Sequence, residues 1–150
     1  MKFRFVWVGK TKDRNWLALQ NEYLQRLSHF VRCETVEVRD GTPPDIKAIE
    51  GKRIIEKLNP SSFVCLLDVT GRGLSSTDLA KKVESWQNAG HKEITFVIGG
   101  ADGVARDVAD RANDVLSLSF LTFTHEMARV VMLEQLYRAF TISKGFPYQR

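Results

Sequence analysis

Ile94-Thr95-Phe96-Val97-Ile98, followed at once by Gly99-Gly100-Ala101-Asp102-Gly103, is the stretch that decides the fold. A short apolar run of this kind, rich in β-branched and aromatic residues, is typical of a strand buried in a parallel sheet. Glycines at its end permit a sharp turn and let the backbone approach a ligand closely. The segment therefore predicts a buried strand that ends in a ligand-binding turn, and a plain tight turn is the alternative interpretation.

The same alternation of apolar runs and helical patterns extends over the whole chain. Asp45, Ser75-Ser76 and Thr124 stand where helix N-caps are expected. Strands are predicted at 3–8, 35–38, 63–67, 94–98 and 115–119, and helices at 16–27, 45–58, 76–88, 104–112 and 125–143. This order predicts an α/β fold, with a mainly parallel sheet and helices on both faces. The length of 150 residues indicates one domain, 1–150.

The composition, 43% apolar and 27% charged, is that of an ordinary soluble protein. Cys33 and Cys65 stand in strand-like runs, so we expect buried free thiols, a reducing compartment and a cytoplasmic location. No stretch is long enough for a membrane span. The N-terminus is interpreted as a first strand and not as a signal peptide. We expect neither a membrane nor a metal as a partner.

Positive charge is concentrated at both ends of the chain. Residues 1–32 contain seven Lys or Arg against two acids, and residues 127–150 contain four against one. Two basic ends favour a polyanionic partner such as RNA. Charge that serves only solubility is the alternative interpretation.

Three loops are the expected binding region, because ligands of such sheets lie at the carboxyl ends of the strands. They follow Leu67, Ile98 and Ser119. The glycines after Ile98 are spaced GGxxG and stand in the fourth strand-helix unit, so a dinucleotide fingerprint is a poor match. Asp68 is a candidate for a ligand hydroxyl or simply for loop amides. The small polar and apolar residues of 116–125 have a backbone suited to a flat apolar ring.

The last helix has a broader apolar surface than one core-facing stripe needs, which favours burial against both the sheet and a second subunit. Charged residues among apolar neighbours must be paired or functional. Glu134 and Arg138 are spaced for an ordinary i,i+4 pair. Gly145 is expected to end the helix. Tyr148 and Arg150 follow in an aromatic tail that we expect to dock on the core or on a partner.

Several spaced motifs, taken in order, resemble the SPOUT class of methyltransferases. More narrowly, they resemble the bacterial enzymes that methylate N3 of a pseudouridine in large-subunit ribosomal RNA. The resemblance covers the whole chain. It is carried by Leu66-Leu67-Asp68 with Gly71 and Ser75-Ser76, Val97-Ile98-Gly99-Gly100 with Gly103, Leu116-Ser117-Leu118-Ser119 with Leu121-Thr122, His125, Arg129, Glu134, Tyr137-Arg138-Ala139 and Pro147-Tyr148.

This resemblance implies a C-terminal trefoil knot, a homodimer, S-adenosylmethionine as cofactor, and ribosomal RNA or the ribosome as partner. The N3 proton of the base must leave, and the catalytic candidates are His125 as a base, Arg129 or Arg150 as stabilisers of the developing anion, and Tyr148 to stack on the base or orient it. The N-terminal cations would hold phosphates. The implied cofactor contacts are Leu67, Gly99, Gly100, Leu118, Ser119, Phe120, Leu121, Thr122 and Phe123.

One position departs from the family that this chain resembles, whose members usually end Pro-Tyr-His. Here Gln149 follows Tyr148. A histidine moves a proton near neutral pH and a glutamine does not. A catalytically impaired RNA- or ribosome-binding module with the same fold is therefore the alternative function. A Rossmann-type oxidoreductase is disfavoured, since GxGxxG is absent after the first strand.

Overall fold

The computed structural model describes residues 1–148. Strands and helices alternate along the chain, as the apolar pattern predicts. The order is β1 (Lys2–Val8), α1 (Arg14–Ser28), β2 (Arg32–Val38), α2 (Ile46–Lys57), β3 (Phe63–Gly73), α3 (Ser76–Asn88), β4 (Glu93–Ile98), α4 (Arg106–Arg111), β5 (Asp114–Ser117) and α5 (His125–Lys144).

The five strands form one sheet in the order β2-β1-β4-β3-β5, and every neighbouring pair is parallel. Trp7 lies opposite Ile98 across β1 and β4, and Leu67 lies opposite Ile98 across β3 and β4. The carboxyl ends of three strands therefore meet at one point on the sheet edge. The predicted α/β fold is confirmed.

Each face of the sheet has its own apolar core. Leu27 of α1, Trp86 of α3 and Leu133 of α5 pack on one face, together with an aromatic group in which Phe5 stacks on Phe96 at 5.3 Å. Helices α2 and α4 cover the other face. Their smaller cluster contains Val6, Val8, Val38, Ile54, Val64, Leu66, Val97 and Val108. Helices thus lie on both faces, as expected.

The predicted strand end at Leu67 is wrong, because β3 continues to Gly73. The register against β5 shifts between Leu67 and Arg72, after which Arg72 lies opposite Leu116. The two backbones come very close here. A Cβ on Gly71 would lie 2.7 Å from the Val115 carbonyl carbon. Strand β5 correspondingly ends at Ser117, two residues before the predicted end at Ser119.

All four predicted cap residues stand at the ends of their helices, and three of them have the contacts or backbone conformation typical of a cap. Ser75 and Thr124 accept hydrogen bonds from the amides of Asp78 and Met127, as N-caps do. Gly145 has φ of 69° and ends α5. Asp45 precedes α2 but its side chain makes no capping bond. Of the helices described, none is long and apolar enough to cross a membrane.

Candidate active site

A cavity of about 640 Å³ lies at the carboxyl edge of the sheet. Its walls come from the end of β3, the glycine turn after β4 and the segment between β5 and α5. Residues predicted from the sequence make up much of this lining: Leu67, Gly99, Gly100, Leu118, Ser119, Leu121, Thr122, Phe123 and His125. Phe120, also predicted as a contact, is outside the lining and 91% exposed. The structure thus gathers residues that are far apart in sequence into one chamber.

The glycine turn is built so tightly that side chains have no room. A Cβ on Gly99 would lie 2.6 Å from Val104 Cγ1 and 3.0 Å from the carbonyl oxygen of Gly103. Gly103 has φ of 82°, and its amide donates to the carbonyl of Gly100 at 3.0 Å. These contacts leave the backbone of the turn itself facing the cavity, which favours close approach of a ligand.

Glu50 of α2 supports this turn from outside the cavity, and sequence reasoning missed it. Its side chain is buried, with Oε2 accepting a hydrogen bond from the amide of Gly41 at 2.9 Å. Oε1 has no hydrogen-bond partner among residues 1–148. A Cβ on Gly100 would lie 2.9 Å from that oxygen. The next residue, Gly51, allows α2 to pack closely, because a Cβ there would lie 2.7 Å from Ala105 Cβ.

The segment between β5 and α5 is held by its own small polar side chains. Ser117 Oγ donates to the carbonyl of Ser119 at 2.9 Å, and Ser119 Oγ accepts from the amide of Leu121 at 3.0 Å. Thr124 caps α5, so His125 becomes the first residue of that helix. His125 is half-buried and lines the cavity. The cavity therefore has an apolar wall with one imidazole at its end.

Asp68 also borders the cavity, and its carboxylate makes the local bonds that the simpler interpretation expected. Oδ2 accepts from the amide of Thr70 at 3.0 Å and from the Thr70 hydroxyl. These bonds hold the irregular stretch of β3 where its register shifts. Asp68 is therefore an architectural residue at the rim, with one oxygen engaged.

Arg129, predicted as a stabiliser of the substrate base, lies in the core of the described chain and is not among the residues that line the cavity. Its exposed fraction is 0%. Nη1 donates to Thr11 Oγ1 at 2.8 Å and Nη2 to the carbonyl of Val8 at 2.5 Å, while the guanidinium stands 4.9 Å from the Trp7 ring. Burial lowers the pKa of Arg129 to about 10, so the group stays cationic at neutral pH.

Tyr148 docks on its own chain, outside the cavity. Its hydroxyl lies 3.2 Å from Glu134 Oε1 and 3.3 Å from the Tyr23 hydroxyl, and its ring meets the edge of Tyr137. Burial and these partners raise the pKa of the Tyr148 hydroxyl. The expected pair of Glu134 with Arg138 is confirmed. The predicted Arg150 and the divergent Gln149 lie outside the described residues.

The Ser75-Ser76 motif joins two helices. Ser75 caps α3, and Ser76 Oγ donates to Gln135 Oε1 of α5 at 2.6 Å. The motif is thus accounted for by packing. Within the described range, no group of three or more His, Cys, Asp or Glu side chains is placed to hold a metal ion.

A family model described as a predicted SPOUT methyltransferase matches residues 1–149. The chain belongs to the SPOUT methyltransferase family. The sequence resemblance is thereby confirmed. Within this SPOUT chain, the motifs that carried the resemblance supply most of the cavity wall.

Three relatives of this SPOUT methyltransferase match it from end to end. They come from Enterococcus faecalis, Halothermothrix orenii and Acetivibrio thermocellus, with identities of 38%, 40% and 38% over 100% of both chains. Each is named ribosomal RNA large subunit methyltransferase H.

A solved structure from Haemophilus influenzae Rd KW20, described as a probable methylase family protein, has a similar fold. Its TM-score is 0.58 at 13% identity, over 99% of this chain and 70% of that chain. At this identity the likeness bears on the fold alone.

Proposed function

We propose that this protein is a cytoplasmic, single-domain, S-adenosylmethionine-dependent methyltransferase that acts on ribosomal RNA, at N3 of a pseudouridine in the large-subunit RNA. The observation that carries the proposal is full-length identity of 38–40% to three proteins named ribosomal RNA large subunit methyltransferase H. The cavity supports it independently, because residues of the shared motifs converge there.

The residues of the cavity fit S-adenosylmethionine. Its volume of about 640 Å³ lies within the range of small-molecule sites. Leu67, Leu118 and Phe123 offer apolar walls for an adenine ring, and the crowded turn at Gly99 and Gly100 offers backbone groups at close range. When bound, the cofactor supplies an activated methyl group on a sulfonium. The remaining task of the chain is to position the acceptor and exclude water.

His125 is the proposed proton acceptor. The N3 position of the base must lose its proton, and His125 is the imidazole that lines the cavity. Its position at the first residue of a long, packed helix fixes its backbone firmly. The proposed role of Arg129 changes from contact with the base to support of the structure around the cavity, since its guanidinium is fully buried.

A second copy of the chain is proposed to complete the site as a homodimer. A trefoil knot is proposed within the C-terminal part of each chain. Phe120 and Leu121 at the cavity rim are 91% and 74% exposed, which is costly for a lone chain. Tyr148 lies outside the cavity of its own chain, so its proposed contact with the base needs a partner's cavity. Sedimentation equilibrium tests the dimer: a monomeric mass at micromolar concentration contradicts it.

The function is tested by incubating the protein with labelled S-adenosylmethionine and either purified bacterial ribosomes or free ribosomal RNA, and then mapping the methyl group. Label on a pseudouridine of the large-subunit RNA supports the proposal. No transfer to any ribosomal particle defeats it. Calorimetric binding of S-adenosylmethionine without any transfer would favour the alternative, an inactive RNA-binding module.

A further inference from the structure

The N-terminal cations divide into two groups once their ion pairs are known. Lys2 and Arg4 are both paired with Glu34, at 2.5 and 3.6 Å, and Arg26 lies 3.5 Å from Glu22. Lys2 also lies 4.0 Å from Glu93, so carboxylates of the same chain already offset the charge of these three cations. They are poorly placed to supply the attraction that the basic N-terminus suggested.

The other group is Lys10, Lys12, Arg14 and Arg32, all exposed and in no ion pair with another residue of 1–148. Three of these four lie together in the loop after β1 and at the first residue of α1. Because Trp7 lies opposite Ile98, this loop leaves the sheet beside the glycine turn of the cavity. Arg32 begins β2 at the opposite edge. Unbalanced N-terminal charge is therefore concentrated at the cavity edge.

The loop that displays these cations is fastened to α5. Glu126 Oε1 accepts hydrogen bonds from the amides of Lys12 at 2.5 Å and Asp13 at 3.4 Å. Arg129 holds Val8 and Thr11, and Thr11 Oγ1 donates in turn to Gln20 at 2.6 Å. Both anchoring side chains lie within the first five residues of the helix that begins with His125. The loop and the cavity are thus built on one rigid element.

The acidic residue inside the loop is already engaged. Asp13 caps α1, with its Oδ1 accepting from the amides of Asn15 at 2.8 Å and Trp16 at 3.0 Å. Its carboxylate is turned toward the helix end and pairs with none of the three loop cations. The loop therefore presents cations outward while the acid serves the helix.

We propose that the segment Gly9–Arg14, here named the basic loop, binds the phosphates of the substrate RNA beside the methyl-donor cavity. This inference rests on the proposed function and specifies the surface that meets the RNA. Lys and Arg that neutralise phosphates release counterions, so binding through them weakens steeply with salt. A loop that is fixed before binding loses little entropy when RNA arrives.

The test compares two triple variants of the full chain that remove the same charge. The variant Lys10→Ala/Lys12→Ala/Arg14→Ala removes the three positive charges of the basic loop. Arg32→Ala/Lys57→Ala/Lys92→Ala is the matched control. Its three exposed cations lie at the opposite edge of the sheet, beside the starts of β2 and β4 and at the end of α2.

Affinity for purified bacterial ribosomes and for free large-subunit RNA is measured over a range of salt, and affinity for S-adenosylmethionine by calorimetry. The loop variant should bind RNA at least about tenfold more weakly, with the salt slope reduced by about 2 to 3. Its cofactor affinity should stay within about twofold of wild type, as expected of a phosphate contact. The control should keep most of its RNA affinity and slope.

Three results would overturn the proposed role of the basic loop in RNA binding. They are unchanged RNA affinity in the loop variant, equal losses of affinity in both variants, or ribosome binding that survives ribonuclease digestion. If the wild-type protein neither binds ribosomal RNA nor transfers a methyl group, the proposed function itself fails. That outcome is distinct, because in the first three cases the wild-type protein remains an active methyltransferase.

Discussion

The guanidinium of Arg129 donates a hydrogen bond to the carbonyl oxygen of Val8 at 2.5 Å, so the last helix holds the end of the first strand. A second bond to Thr11 at 2.8 Å and the face of Trp7 complete its surroundings. No carboxylate lies within ion-pair distance of it among residues 1–148. A buried cation held only by neutral groups keeps part of its desolvation cost, which its bonds must offset.

Arg129→Ala should lower the free energy of unfolding by about 3 kcal/mol, because it opens a cavity and leaves the Val8 carbonyl without its donor. Arg129→Lys should lie between wild type and alanine, since one ammonium lacks the planar fork that reaches both acceptors. Urea denaturation measures both. Arg106→Ala is the control: the Arg106 side chain is 93% exposed, and the change should be within about 0.5 kcal/mol. Equal losses for Arg129→Ala and Arg106→Ala would contradict this account of Arg129.

Gly99→Ala should weaken S-adenosylmethionine binding about tenfold or more, because the new Cβ would clash with Val104 and Gly103 and shift the turn at the cavity. Gly73→Ala is its matched control. A Cβ at Gly73 has nothing within 4 Å and needs no positive φ. Calorimetry on both variants, with thermal unfolding alongside, separates a local effect from lost stability. Wild-type affinity in Gly99→Ala would remove this turn from the cofactor site.

His125→Asn should reduce kcat by about 100-fold if His125 accepts the proton of the base. Asparagine keeps a similar size and tolerates a helix start, so cofactor affinity should change by less than about threefold. Single-turnover transfer from labelled S-adenosylmethionine measures the rate. His29→Asn, at an exposed residue just after α1, should leave the rate unchanged. An unchanged rate in His125→Asn would assign the proton to another group.

Cys33 and Cys65 are free thiols, as the sequence predicted; the predicted burial is confirmed for Cys65, whereas Cys33 is half-buried. Burial raises the pKa of Cys33 to about 12 and raises that of Cys65 as well. Little thiolate then forms at pH 8, so both native thiols should react slowly with Ellman's reagent and quickly after unfolding. One rapidly reacting thiol in the folded chain would contradict the burial.

These thiols also give stability a pH dependence with a definite sign. Above pH about 8.5 the unfolded thiols lose their protons while the folded ones keep them, so the folded state binds more protons. The free energy of unfolding should therefore fall as pH rises above that value. The double variant Cys33→Ala/Cys65→Ala should show a smaller fall in urea denaturation at pH 8 to 10.

Most of the fold was predictable because its elements are marked by residues close together in the sequence. Short apolar runs mark the buried strands, and the caps at Ser75 and Thr124 mark helix starts. The extension of β3 to Gly73 was not predictable, because the composition of that segment is typical of a turn. Its strand character arises only from pairing with β5, whose sequence lies more than 40 residues away. Such non-local pairing leaves little trace in a single segment.

The candidate site likewise has a part that the sequence predicted and a part that it did not. The cavity wall was predictable from ordered motifs, since Gly99 and Gly100 follow a buried strand and His125 follows a cap. The surroundings of Arg129 and Tyr148 were not, because both sit in a helical or tail pattern that fits a site or a core equally well. Only the three-dimensional contacts with Val8 and Glu134 show what each touches.

Glu126 provides a prediction that separates charge from order in the basic loop. Glu126→Gln removes the negative charge but keeps an oxygen that accepts from the Lys12 and Asp13 amides, so the loop should stay fixed. Because a nearby negative charge repels phosphate, its RNA affinity should equal or exceed that of wild type. Glu126→Ala removes the same charge and also the acceptor. Electrostatics alone would then predict tighter RNA binding, whereas release of the loop predicts weaker binding. Hydrogen exchange at Lys12 and Asp13, measured together with RNA affinity, should show fast exchange and weaker binding in Glu126→Ala only. Tighter binding in both variants would mean that the fixed conformation of the basic loop contributes nothing to RNA recognition.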